Sequence, residues 1–400
     1  MMHLLRATLA GLGFLSACRT QQSTGTPGFR DSAGVRIVSY SPQDVPALTW
    51  TVDSAPRLLI GTEQADPSPL LLAPVGAFRL SDGSIVVADR ATSSLKYFDS
   101  VGHLTRVVGR SGHGPGEFEF IAWLKSCGTD SAFVFDLGSN QVSVIPSTGT
   151  VARRFGIRTL AGGPAFGVEC SRTGHYVLAA WPELDAKREP GPFRPLVTVG
   201  LAGADGTAKV ALGNFPGTEM VVRGRGMSPR AVGRWLRMAI GDSTAWVAPN
   251  ATRVVYGYDL AGRLRIHLFP AVREIALSAR EWDYQRQTAL DSAGSVAGRQ
   301  RVTQLFSQAG PPDQLPPVHT LLVDQAELLW IQPHHSREEP NPAWQVYRAT
   351  GEFLATVRLP SPLKGVLGIG QDWVLGLQED SDGADVVALY RLQRSGANGP

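Results

Sequence analysis

Apolar residues along this chain fall into runs of roughly five, separated by polar turns rich in Gly and Asp, and the runs recur at a constant offset. Residues 75–109 lie over residues 122–156 without a gap. Asp89 falls on Asp136, Leu95 on Val142, Tyr97 on Val144, Gly102 on Gly149, Leu104 on Val151 and Gly109 on Gly156. Within the first unit the pattern predicts a strand over 76–80, a turn at Asp82-Gly83 and an apolar strand over 85–88 ending at Asp89. A polar hairpin, a strand over 95–98, a turn at Gly102 and a last strand over 104–108 complete it. Each unit therefore predicts a four-stranded antiparallel sheet. One such sheet cannot bury both its faces, so the units must shield one another.

Weaker copies follow at 246–264, 329–353 and 364–393, and a stretched copy occupies 165–213 with an insertion around 183–194. Trp246, Trp330 and Trp373 hold near-equivalent strand positions and read as packing between units. The fold class this predicts is all-β: a six-bladed β-propeller of four-stranded antiparallel blades. Residues 35–40 and 48–60 precede the first unit and alternate like strands. One of them is expected to join the final sheet and close the ring, removing an exposed edge. Residues 277–307 break the pattern with apolar spacing suited to a helix, and Ser278 with Glu281 offers a capping box. This short helical insertion is expected to lie over one face, as a lid, a partner surface or a cover for strand ends.

Composition agrees with many short strands joined by turns: the chain has 44 Gly and 28 Pro. No low-complexity linker divides it after residue 34, so 34–400 reads as one long all-β domain. A formal charge of +3 gives no reason to expect nucleic acid as a partner.

The first residues bear on the compartment. Residues 1–6 carry one fixed positive charge at Arg6, residues 7–15 are apolar, and Leu15-Ser16-Ala17-Cys18 follows. That tetrapeptide resembles the lipobox of bacterial lipoproteins, which implies a signal peptide over 1–18 and lipidation of Cys18. The apolar run is about half of what a membrane-spanning helix needs. Residues 19–33 are rich in Gln, Ser, Thr and Gly and read as a flexible tether. Arg19, rather than aspartate, after the cysteine favours attachment to the outer membrane. The expectation is an exported monomer, lipid-anchored in the cell envelope.

The units resemble those of the six-bladed NHL and TolB-like propellers, especially exported bacterial lipoproteins. The linker Gly109-Arg110-Ser111-Gly112-His113-Gly114-Pro115-Gly116-Glu117-Phe118 is similar to their Gly-rich interblade loop. The resemblance covers nearly all of the chain after the signal and implies a fold rather than an activity.

Cys127 lies six positions before Phe133 and Cys170 six before Tyr176, so both end the innermost strand of neighbouring units. In an oxidising envelope this leftover pair is expected to form a disulfide.

Candidate chemistry is sparse. The chain has no His-Glu-x-x-His, and Gly109 to His113 fails the nucleophile-elbow pattern. Asp89 and Asp136, with Asn250 and His334 in matching places, end second strands. They would either ring a channel mouth, where related lactonases hold calcium, or bond nearby backbone N–H groups. His334-His335, with His113, His175, His267 and His319 elsewhere, are candidate metal ligands. Arg223, Arg225, Arg230, Arg234 and Arg237 concentrate before the fourth unit, where guanidinium forks would suit an anionic ligand. The expected function is a binding or scaffold module for a protein, peptide or saccharide. No catalytic residue and no cofactor is assigned. The alternative is a calcium-dependent, lactonase-like hydrolase with its site at the central channel.

Overall fold

In a computed structural model the described residues are 28–45, 49–61, 70–128, 130–182, 189–223, 226–293, 295–308, 310–361 and 363–394. The signal, Cys18 and the tether up to residue 27 lie outside them. The molecule is mostly β, built of small antiparallel sheets with two helices.

Four-stranded meanders succeed one another along the chain. The first comprises Pro74–Arg79, Ile85–Asp89, Ser94–Phe98 and Leu104–Val108, and the second Ile121–Ser126, Ser131–Asp136, Gln141–Pro146 and Arg153–Gly156. Ala165–Cys170, Tyr176–Ala180, Leu196–Ala202 and Ala208–Pro216 form the third. A fourth follows with Arg237–Ile240, Thr244–Ala248, Val255–Asp259 and Leu264–Phe269, and a fifth with Val318–Val323, Leu329–Pro333, Trp344–Tyr347 and Phe353–Val357. The last takes Leu363–Ile369, Trp373–Glu379 and Asp385–Gln393 from the C-terminal end of the chain, and its outer strand, Leu58–Ile60, from near the start.

The apolar core lies between meanders rather than inside any one of them. Val86, Leu95 and Tyr97 of the first pack on Leu124, Val134 and Ile145 of the second. Similar clusters join second to third, third to fourth, fourth to fifth and fifth to sixth. Ala77, Ile85 and Phe98 of the first also meet Trp373, Leu375 and Val387 of the sixth. The arrangement is propeller-like. Neighbouring first strands approach so closely that a Cβ on Gly76 would sit 2.8 Å from the Leu124 carbonyl oxygen, which is why that position has no side chain. Trp246 needs the same courtesy from Gly257, whose Cβ would lie 2.8 Å from the indole.

The segments before the first meander are shared among three sheets. Val35–Ser39 runs parallel to Leu264–Phe269 in the fourth, and Thr49–Val52 lies between Phe353–Val357 and Asp385–Gln393. The tether expected over 19–33 ends earlier than its composition suggests. Gly28–Ser32 is a fully exposed strand that pairs with Val35–Ser39. Ala33 and Gly34 both take left-handed backbone angles, φ 50° and 80°, the geometry of a two-residue hairpin turn.

The insertion before the fifth meander is two helices, α1 (Ala279–Asp291) and α2 (Val296–Gln308), with the Trp282 ring tilted against Phe306 at 4.8 Å. Ser278 Oγ accepts the Glu281 N–H at 3.2 Å, but the reciprocal half of the capping box is missing. The Glu281 carboxylate instead accepts the Arg337 N–H, and Ser278 N–H donates to Ala276.

Candidate functional site

The first strand of every meander faces one central cavity of about 830 Å³. Ala77 and Arg79, Lys125, Phe166 and Glu169, Arg237 and Met238, Thr320 and Leu322, and Val366 and Leu367 line it in turn. The lining continues onto the rim where first strands turn into second strands, through Ser81, Asp130, Arg172, Gly241 and Glu327. Near that rim Cys127 and Cys170 are joined by a disulfide, with Cα atoms 5.8 Å apart, tying the second meander to the third.

Charges in the cavity are largely matched. Lys125 pairs with Glu169, and Arg172 lies 2.8 Å from Asp242 and 3.6 Å from Glu327. Burial raises the Glu327 carboxyl above its ordinary value, with the Asp242 charge adding to it. Arg237 differs. Among the described residues its guanidinium makes no hydrogen bond or ion pair, and its buried Nε has no partner. Burial pulls its pKa down to about 10, against an upward pull from Glu169.

Asp89 and Asp136 do end second strands, but they serve the backbone. Asp89 is wholly buried and accepts N–H groups of Leu72 (3.1 Å), Ala73 (3.0 Å) and Ala91 (3.2 Å) and the Lys96 ammonium (2.7 Å). Burial alone would raise its pKa; Lys96 and the backbone donors outweigh that and lower it. Asp136 accepts N–H groups of Glu119, Phe120 and Gly138 at 3.0, 2.9 and 3.1 Å. The hairpin bond foreseen from sequence is thus the minor part, since most donors come from the segment entering the first strand. Asn250 reaches across to the fifth meander, donating to the Val318 carbonyl at 2.6 Å and accepting its N–H at 2.9 Å. These oxygens are turned onto the fold, and no three His, Cys, Asp or Glu side chains among the described residues are grouped to hold a metal ion. The residues present do not fit the calcium site of the alternative reading.

The histidines that looked scattered are partly gathered. His319 lies 5.3 Å from His334 and 5.6 Å from His335, ring centre to ring centre, and His334 stacks on His335 at 4.9 Å. Burial pulls His319 down to about 4, helped by Arg237, and His334 to about 3, helped by His319. The register made this legible: Val318 pairs with Pro333 and Thr320 with Gln332, so a bulge at His319 sets it beside His334. Helix α1 covers this end of the strands, where Gln285 donates to the His335 carbonyl at 2.9 Å.

The arginine cluster does not form one open patch. Arg230 is buried in an ion pair with Glu219 at 2.6 Å and donates to Gly310, and the Arg234 N–H also binds Glu219. Arg223 ends a strand, Met220–Arg223, in a small sheet with Gly191–Phe193 and Gly226–Pro229, which sequence patterning missed. Arg225 and the Arg223 side chain lie outside the described residues.

No family model matches the chain, and no curated protein does. Among solved structures it is similar to a Bacteroides fragilis protein described as exported, at 12% identity and a TM-score of 0.47 over 90% of this chain and 100% of that one. It is also similar to virginiamycin B lyase of Staphylococcus aureus, at 10% identity and a TM-score of 0.38 over 81% and 96%. A calcium-binding protein, regucalcin, from Agrobacterium tumefaciens gives 8% and 0.37 over 88% and 98%. At such identities and TM-scores none of these likenesses says what this chain does.

Proposed function

We propose that the chain is a six-bladed β-propeller, lipid-anchored through Cys18 in the cell envelope, that binds a ligand in its central cavity. The observation that carries this is the cavity of about 830 Å³ lined by the first strand of each meander. Its volume lies within the range of small-molecule sites, and its walls mix apolar side chains with a few charged groups.

Protein purified from its native envelope and then denatured should release a bound compound that mass spectrometry detects. A variant with Leu322→Trp and Val366→Trp, which fills the cavity, should release none. Equal recovery from both proteins, or none from either, contradicts the reading.

A further inference from the structure

Arg237 is the one deeply placed cation of the cavity that the fold leaves without a counter-charge among the described residues. Glu169, whose charge is felt at Arg237, is spent on Lys125, and Arg172 is held by Asp242 and Glu327. Arg79 also lacks an ion pair, but it sits at the rim with its guanidinium 6.0 Å from the Trp373 ring. Arg237, whose Nε like that of Arg79 is buried and unpartnered, begins its strand beside His319 and lies 5.2 Å from the Trp235 ring. The neighbouring His319 and His334 are held neutral by burial and offer no negative charge.

Arg237 is half-buried, with its Nε shut away from water, and a polar atom so placed without a partner is costly. Such an arrangement is found where an incoming group completes it. A guanidinium presents parallel N–H donors that match the two oxygens of a carboxylate. Beside it the wall is apolar, formed by Phe166, Trp235 and Met238. We propose that Arg237 anchors the carboxylate of an organic acid whose apolar body lies against Phe166, Trp235 and Met238. This rests on the reading of the cavity as the binding site.

The probes are phenylacetate, 4-phenylbutyrate and decanoate, each beside its primary amide, titrated into the full chain by calorimetry and by Trp fluorescence. At least one acid should bind about tenfold or more tightly than its amide, the scale of one charge-assisted hydrogen bond. Arg237→Gln should abolish that preference, and Arg237→Lys, which keeps the charge but not the fork, should retain part of it. The acid and amide comparison needs no variant, so it stands even if Arg237→Gln fails to fold. Acids and amides binding alike, or Arg237→Gln keeping the preference, would overturn the role of Arg237 while leaving the cavity as a binding site. Binding by no acid overturns it as well, and the co-purified compound then decides the cavity reading separately.

Discussion

At the scale of single residues, buried polar groups divide into those the fold completes and those it leaves open. Asp89 receives four donors and Asn250 both gives and takes, so each is a structural fastener. Their repetition at the ends of second strands was visible in the sequence; their partners were not, because the donors are mostly backbone N–H groups, which any residue type supplies. His319 and His334 carry a different consequence. Their folded pKa values, about 4 and about 3, lie below the ordinary 6.5, so the unfolded chain takes up protons first as the medium acidifies. Their neutral burial is therefore fully tolerated above about pH 6.5, and stability falls as pH drops from there toward 4. Urea midpoints at pH 7.5 and 4.5 should differ less in a His319→Gln, His334→Gln variant than in the parent. An equal difference in the two proteins would show that these rings do not contribute.

Among the elements, regular strands were the readable part. The first two meanders follow their apolar runs, whose second strands, Ile85–Asp89 and Ser131–Asp136, are buried on both faces almost throughout. Legibility failed where chain was inserted. The small sheet containing Gly191–Phe193 draws on two separate irregular segments, and local sequence carries no signal for that pairing. The helical insertion expected over residues 277–307 is two helices, one ending at Asp291 and the next beginning at Val296, and the second folds back on the first. The disulfide was readable because repeat position placed both cysteines at matching strand ends in adjacent units. It closes a loop with a sequence separation of 43, and in the chain-entropy picture it contributes about 4 kcal/mol. A Cys127→Ala, Cys170→Ala variant should unfold at a clearly lower urea midpoint, and the parent should reach the same midpoint under reductant. Identical midpoints with and without the bridge would contradict this.

For the whole molecule, the packing of each meander on the next, and of the sixth on the first, means that no unit has a core of its own. The architecture was legible because it repeats. The cavity was not, because it is formed by side chains from first strands far apart in sequence, and only the packing of one meander on the next brings them together. Arg237 was noticed as part of a basic cluster; that it stands apart from Arg230 and Arg234 depended on where Glu219 went. Removing residues 34–60 should strip Leu58–Ile60 from the last meander and Thr49–Val52 from the seam between the last two. The melting temperature should drop sharply in a scan by circular dichroism. An unchanged melt would mean that these strands merely decorate the ring.

The placement of Leu58–Ile60 beside Asp385–Gln393 has a consequence for biogenesis. Emerging from a ribosome or a translocation pore, the early strand must wait for almost the entire remainder of the chain before its partner exists. Until then the first and sixth units each lack an interface, and the half-made protein presents raw strand edges to its surroundings. Completion is set by the arrival of the last strand, so losing residues 385–393 would leave a chain that cannot finish, a natural target for chaperones and proteases.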